Sequence, residues 1–491
     1  MHIIFIHTPM PHRIVPERGR YWANFDERYY DFHPYARPLK KYLWELPHWV
    51  TWLGGVLYDQ GFRSMEALDF YTDCGIVDGI DTEQIYNTLK AHPGDVYLFS
   101  PMTPNLPQAL QIAEMIKELN PNSTTIFGGV VATPMHEEVV QEACVDYVVT
   151  DRGEYALPAL LNALKDKTKL DNVGNLTYET AHGDIVSTGI KYPYMPVEDL
   201  PFPEVDLFPS SAGENIRYIR ENYSLGCPYT CSFCTIQTIG MKPFYFPIDR
   251  VLNEIRAYRQ HYGNHHHVYF GDETFTLHTQ RTLDMCAALK AEGDIHYDCQ
   301  TRLNRLQDPR LPKALYESGC RWLEIGLESI SQDSQNLVKQ RTKLAEIEDT
   351  LRRLRDEGLP TCTFMIVGLP NETVSTMRKS LDQICTWIDA DLLTASYLSV
   401  FVPYPGTSYF SHPEQYGMKL HHKKYDLYHE ELAPVFDSEH TTAEQAYDVF
   451  LEGVRNFADI LGSKAASVAK ARANYDFSRQ EFGAYGERIA A

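Results

Sequence analysis

A chain of 491 residues is too long for one ordinary core, and an apolar share of 44% is enough for two or three globular domains. Its 45 basic and 66 acidic residues leave a net charge of −21, which argues against a general binder of nucleic acid or anionic membrane, because phosphate contact needs clustered Lys and Arg. No apolar run is long enough to span a membrane, and the start, MHIIFIHTPM, lacks the basic-then-apolar order of a signal peptide. The expected location is therefore the cytoplasm, with reduced cysteines.

From residue 1 to about 165, short apolar runs alternate with helical spacing. HIIFIH (2–7), EALDFY (66–71), DVYLFS (95–100), TTIFGG (124–129) and DYVVT (146–150) read as strands. Between them, 49–61, 81–92, 106–121 and 135–144 read as helices, and 154–165 follows the last strand; Asp81 is a cap. This alternation predicts a doubly wound parallel sheet over residues 1–170. Such sheets bind ligands beyond the carboxyl ends of their strands, which places Thr8, Ser100, Thr103, Gly128, Gly129 and the segment Thr150 to Glu154 at the ligand edge. Residues 20–49 do not fit the pattern. They are too aromatic for disorder and too long for a plain loop.

Residues 171–215 read as a linker, with YPYMPVEDLPFPEVDLFP (192–209) rich in Pro and acids. From 216 to 410 about six strand–helix units follow, which predicts a partial (β/α)6 barrel with its site at the carboxyl ends of the strands. Residues 411–491 form a helical C-terminal region, with a helix at 442–462 and a loosely ordered polar remainder.

Ten cysteines are present, and seven are scattered singly: Cys74, Cys144, Cys286, Cys299, Cys320, Cys362 and Cys385. These read as small core residues. The other three stand together in SLGCPYTCSFCTIQ, as Cys227, Cys231 and Cys234 in C-x-x-x-C-x-x-C. Structural zinc needs a fourth ligand, usually from a second paired cluster, and no second C-x-x-C exists, although a distant His could serve. The HHH run at 265–267 is the nearest offer, and it reads better as a solvated loop leading into a strand. A disulfide would leave one thiol over. A [4Fe–4S] cluster on three thiolates leaves one iron open, and an open iron can chelate a small substrate.

The triplet, with an aromatic before its last cysteine and a position after the first barrel strand, resembles that of the radical S-adenosylmethionine (SAM) enzymes. In that family the open iron chelates the amino and carboxylate groups of SAM, and an electron from the cluster yields a 5′-deoxyadenosyl radical. Further stretches match in order. GDET (271–274) resembles the second-strand motif, with Gly271 allowing close backbone approach and Asp272 and Glu273 offering acceptors to the methionine ammonium. TRLN (301–304) would place Arg302 on the methionine carboxylate, and GLES (326–329) would place Glu328 at the ribose or ammonium. IVGLPNET (366–373) would pack the backbone of Val367 and Gly368 on adenine, and PYPGT (403–407) resembles the turn after the sixth strand.

The first domain and its LPFP linker are similar to those of the cobalamin-binding subgroup. That similarity implies a corrinoid held against the barrel mouth by Thr8, Ser100, Thr103, Gly128, Gly129 and Glu154. The D-x-H-x-x-G motif, whose His ligates cobalt, is absent here, as in many members of the subgroup. The subgroup implies methyl transfer to an unactivated carbon of a small molecule, with methylcobalamin as donor and two SAM consumed per turnover. A small ferredoxin or flavodoxin would supply the electron. The layout also resembles the anaerobic ring cyclases of chlorophyll biosynthesis and the radical enzymes of hopanoid synthesis, so ring closure or oxidation without methyl transfer is the alternative. In either case the aromatic segment 20–49 would shape a substrate pocket or cover the corrin face. A non-catalytic iron–sulfur or zinc protein would lack the polar residues lining the barrel, yet Asp272, Glu273, Arg302 and Glu328 are present.

Overall fold

The first sheet follows from strands that feed two cores at once. Ile3 and Phe5 of β1 (Ile3–His7) pack into one apolar cluster and Ile4 and Ile6 into another on the opposite face. Helices cover both faces, so the strands read as unbroken apolar runs. The computed structural model describes residues 1–10, 16–33, 45–70, 80–214, 216–239, 242–263, 267–338 and 343–474. β1 lies between β2 (Met65–Asp69) and β3 (Val96–Phe99), and β4 (Thr124–Gly128) and β5 (Tyr147–Val149) follow, all parallel. The order 2-1-3-4-5 reverses at β1 and β3, which opens a crevice at their carboxyl ends. The sheet does not stop at residue 170 as the sequence implies. β6 (Leu176–Glu179) and β7 (Ile185–Ser187) extend it antiparallel, inside the stretch expected to be linker.

The second sheet carries β8 (Tyr218–Glu221). A short ribbon, β9 (Ser224–Leu225) with β10 (Phe244–Tyr245), closes the base of the cysteine loop. Then β11 (His267–Phe270), β12 (Tyr297–Arg302), β13 (Cys320–Glu328), β14 (Thr361–Val367) and β15 (Ala395–Val400) continue the sheet in chain order, all parallel. Six parallel strands make the partial barrel that the sequence predicts. The register puts Arg220, Tyr269, Asp298 and Trp322 on one face, and Gln300, Glu324, Gly326, Phe364 and Tyr397 on the same face. Near the carboxyl ends this inward face is partly open at Arg220, Gln300, Gly326, Phe364, Ile366 and Ser399.

At the other end it is sealed by the aromatic segment. Helix Pro16–Phe32 lies under the barrel, with Tyr21 Oη donating to Ser396 O (2.6 Å) and Phe25 packed on Tyr397 and Trp322 (ring centroids 4.7 and 5.6 Å apart). Tyr29 Oη donates to Asp298 Oδ2 at 2.6 Å. This part of the segment therefore neither lines a substrate pocket at the strand ends nor covers a corrin face; it is the barrel's floor. Residues 34–44 lie outside the described residues.

Helix Ala443–Asn474, longer than expected, packs against the floor helix and β15, for example through Asn24 Nδ2 donating to Ala458 O at 2.8 Å. Residues 475–491 lie outside the described residues, as do Cys74, His265 and His266. Cys144, Cys286, Cys299, Cys320 and Cys362 are buried free thiols and Cys385 is half-buried, as small core residues should be. No described helix is long and apolar enough to cross a membrane.

Candidate functional site

The cysteine loop leaves β9 through Gly226 and is held at several points. Gly226 N–H donates to Glu273 Oε2 (3.0 Å), Cys234 N–H to Cys231 O (3.1 Å) and Ser232 Oγ to Leu337 O (2.9 Å). Cys227, Cys231 and Cys234 are all half-buried thiols. Among the described residues, the one trio of His, Cys, Asp or Glu whose ligand atoms all lie within 4.8 Å of one another is elsewhere, at His33, His267 and Asp298. At least one pair of the three sulfurs thus stands more than 4.8 Å apart, wider than the ~3.8 Å between sulfurs around a single zinc with ~2.3 Å bonds. They fit a larger polynuclear centre. Burial pushes the Cys227 thiol up, so its thiolate needs cationic help. Arg302 Nη1 donates to Cys231 Sγ at 2.9 Å, and its guanidinium lies 3.8 Å from the Tyr229 ring centroid.

The neighbouring acids Asp272 and Glu273 take different roles. Asp272 is fully buried and accepts from Tyr223 N–H (3.1 Å) and from Ser224 Oγ, and burial pushes its carboxyl up to about 7. It holds the turn between β8 and β9, and so is a structural anchor rather than an open acceptor. Glu273 is half-buried beside the cysteine loop, with its carboxyl raised by burial and pulled back down by Arg220 and Arg152. Gly271 makes room for protein, not ligand: a Cβ there would sit 2.6–2.8 Å from the Arg220 guanidinium, whose Nη1 donates to Glu45 Oε1 at 2.5 Å.

Glu328 follows a register shift in β13 and has φ of +66°, a conformation costing a non-glycine residue of order ~1 kcal/mol. Only 5% of it is exposed. Ser329 Oγ donates to Glu372 Oε1 (2.7 Å), and Leu369 N–H donates to Glu372 Oε2 (3.3 Å). This buried acid, pushed up to about 7, ties the GLES and GLPNET stretches together. Nothing in the sequence marks the Ser329–Glu372 pair, since the partners lie 43 residues apart. The Val367 side chain is in the core, and Gly368 turns against Ala446 of the C-terminal helix.

In the first domain a cavity of about 190 Å³ opens at the carboxyl ends of β3, β4 and β5. Of the expected residues, Ser100, Gly128, Gly129 and Glu154 line it, whereas Thr8 and Thr103 are buried and do not. Asn105 Nδ2 donates to Thr8 O (3.3 Å), and Thr103 opens a short 3₁₀ turn. Trp49, Trp52 and Arg152 line the cavity too. Arg152 belongs to the segment Thr150 to Glu154 already placed at the ligand edge, whereas Trp49 and Trp52 escaped the sequence reading because helix His48–Asp59 reads as a plain covering helix. Trp52 Nε1 and Arg152 Nε both donate to Glu154 Oε1, at 3.1 and 2.8 Å. The walls are mostly apolar, no histidine among the described residues lines them, and the size suits one flat arm of a large ligand rather than its whole body.

The cavity rim touches the cysteine loop's ribbon. Arg152 lies 5.3 Å from the Phe244 ring centroid and Trp52 meets Phe246 edge-on at 5.6 Å. The PYPGT turn is wedged in as well: Gly406, at φ +90°, has no space for a Cβ, which would fall 2.3 Å from Thr238 of the cysteine loop and 3.1 Å from Pro134 of the first domain.

Comparison with known families decides what this arrangement is. The Radical SAM superfamily matches residues 222–384, and the B12 binding domain matches residues 45–161. The chain therefore carries a radical SAM domain after a B12 binding domain. Among similar proteins, an uncharacterized methyltransferase of Pyrococcus horikoshii is 26% identical over 384 residues, 76% of this chain and 81% of that one. An anaerobic magnesium-protoporphyrin IX monomethyl ester cyclase of Rubrivivax gelatinosus is 25% identical over 379 residues, 74% of this chain and 65% of that one. The solved radical SAM methyltransferase TsrM from Kitasatospora setae, with cobalamin and [4Fe-4S] cluster bound, shares the fold with a TM-score of 0.63 at 16% identity, over 86% of this chain and 77% of that one. A radical SAM domain beside a B12 binding domain implies three cofactors, a [4Fe–4S] cluster, SAM and cobalamin. The wide-set thiols and the Trp-lined cavity fit the first and the last.

Proposed function

We propose that this radical SAM protein methylates an unactivated carbon of a small molecule. The observation that carries this reading is the junction of the Trp52–Arg152–Glu154 cavity rim with the ribbon of the cysteine loop, which supports two cofactor sites sharing one mouth. When bound, the cluster supplies the electron that cleaves SAM and the corrinoid carries the methyl group. Cys227, Cys231 and Cys234 hold the cluster, Glu273 receives the methionine ammonium, and Arg302 takes its carboxylate from a place beside Cys231. Glu328, aimed by its left-handed backbone, faces the ribose side. Gln300, Phe364, Ile366 and Ser399, partly open on the inward face, bound the substrate space, and the floor helix keeps water from entering below. The enzyme works in the cytoplasm with a small ferredoxin or flavodoxin as electron donor.

The cyclase relative supports a second reading, ring closure without methyl transfer. Product analysis separates the two. The protein is reconstituted without oxygen with iron, sulfide and cobalamin, then given SAM, a reductant and candidate substrates. Formation of S-adenosylhomocysteine and 5′-deoxyadenosine together, with the SAM methyl group in the product, is the methylation result. 5′-Deoxyadenosine alone, with an unmethylated oxidised or cyclised product, overturns methylation in favour of cyclisation.

A further inference from the structure

At the floor of the barrel, away from the cysteine loop, three metal-ligating side chains meet at one buried point. His33 Nε2 and His267 Nε2 each lie 2.8 Å from Asp298 Oδ1, and the side chains are 0%, 5% and 2% exposed. They come from three elements: the end of the floor helix, the first residue of β11, and the second residue of β12. No other trio among the described residues converges this closely. His267 begins β11, as the sequence reading has it, and is buried rather than solvated.

The surroundings of this trio are those of a ligated ion. His33 Nδ1 lies 2.6 Å from the backbone oxygen of Tyr29. A carbonyl only accepts, so Nδ1 carries the proton, and Nε2 of that tautomer turns its lone pair to the Asp298 carboxylate. A lone pair and a carboxylate oxygen at 2.8 Å repel unless a cation lies between them. The other Asp298 oxygen accepts the Tyr29 hydroxyl at 2.6 Å. Histidine ligands characteristically donate their second ring N–H to a carbonyl or carboxylate, and carboxylate ligands take an outer hydrogen bond. Tyr29 supplies both partners, and its ring stacks on His33 at 3.7 Å and meets Trp322 edge-on at 5.3 Å, which shields the point from bulk solvent.

We infer that His33, His267 and Asp298 supply three ligands of a buried site for a divalent first-row cation, zinc by its ligand set, with one trapped water as the fourth ligand, and that the ion clamps the floor helix to the barrel. Two imidazoles and a carboxylate match zinc better than calcium or magnesium, which prefer oxygen ligands. Donors around zinc at ~2.1 Å stand ~3.3 Å apart, so occupancy spreads the trio slightly. A shared proton is the competing occupant.

The test is elemental analysis of the full chain with Cys227, Cys231 and Cys234 all changed to Ser, so that neither cluster nor thiol site can hold metal, purified without a metal-affinity step. About one zinc per folded chain is expected, falling at least ~10-fold in the added His33→Gln variant. Folded protein without zinc, by elemental analysis and circular dichroism together, overturns the inference and leaves the proton as occupant. Should His33→Gln fail to fold, zinc-edge X-ray absorption of the triple-Ser chain decides instead: a nitrogen and oxygen shell with imidazole scattering supports the site, and a shell without imidazole overturns it.

Discussion

Asp272 and Glu273 show how two adjacent carboxylates acquire different roles from their surroundings. Asp272 points into the protein and is used up by Tyr223 and Ser224, whereas Glu273 spends one oxygen on Gly226 and remains half-buried at the site. Glu273→Gln should weaken SAM binding by about 10–100-fold, the equivalent of one lost charged hydrogen bond of ~1.5–3 kcal/mol, with cluster absorbance unchanged. Equilibrium binding to the anaerobic holoprotein reads this directly. Glu372 gives a pH signature. Its carboxyl is raised from 4.5 to about 7 in the folded chain, so the folded state keeps a proton that the unfolded state releases. Its stabilising contribution is complete below about pH 4.5 and is lost as pH rises to about 7, a swing of ~3 kcal/mol at most. Denaturant unfolding of cluster-free protein at several pH values should show that slope, and Glu372→Gln should flatten it.

At the scale of elements, the PYPGT turn and the cysteine loop are coupled by shape. A side chain at position 406 meets Thr238 and Pro134 and must also adopt φ of +90°. Gly406→Ala should cost at least ~1 kcal/mol and move the cysteine loop away from the first domain. The expected result is a protein that binds iron and sulfide but cleaves SAM much more slowly, read by 5′-deoxyadenosine release. The floor helix makes a complementary point. Its Tyr21, Phe25 and Tyr29 look like candidates for ligand contact in a linear reading, yet each is spent on barrel strands.

For the whole molecule, the question is whether the two cofactor sites act as one. Trp52 bridges them, lining the cavity while touching Phe246 and donating to Glu154. Trp52→Ala should reduce bound corrinoid by at least ~10-fold, as expected for the loss of a large aromatic anchor of a buried ligand. Iron content should stay the same, measured on one anaerobic preparation by extraction and elemental analysis. Equal loss of both cofactors would mean that Trp52 supports the fold rather than the cavity.

The chemistry and the layer order were written in local sequence. C-x-x-x-C-x-x-C, the alternation of strand and helix, and the turn motifs are short-range signals, because thiolate spacing and strand period are set within a few residues. Ser100, Gly128, Gly129 and Glu154 could be picked out because strand ends mark the ligand edge of any such sheet. What the sequence left open depends on contacts between distant segments. Gly271 looks like a ligand approach until Arg220 is seen beside it, and an aromatic stretch has no address until the barrel above it exists. Trp52 becomes a cavity wall only when the ribbon of the cysteine loop folds against it, and His33, His267 and Asp298 become one site only when a helix from the chain's beginning closes the floor of a barrel built from its middle. Local pattern fixes which elements form and which reactive groups they carry. Burial and charge pairing, which belong only to the assembled chain, decide which of those groups face a ligand and which hold the fold.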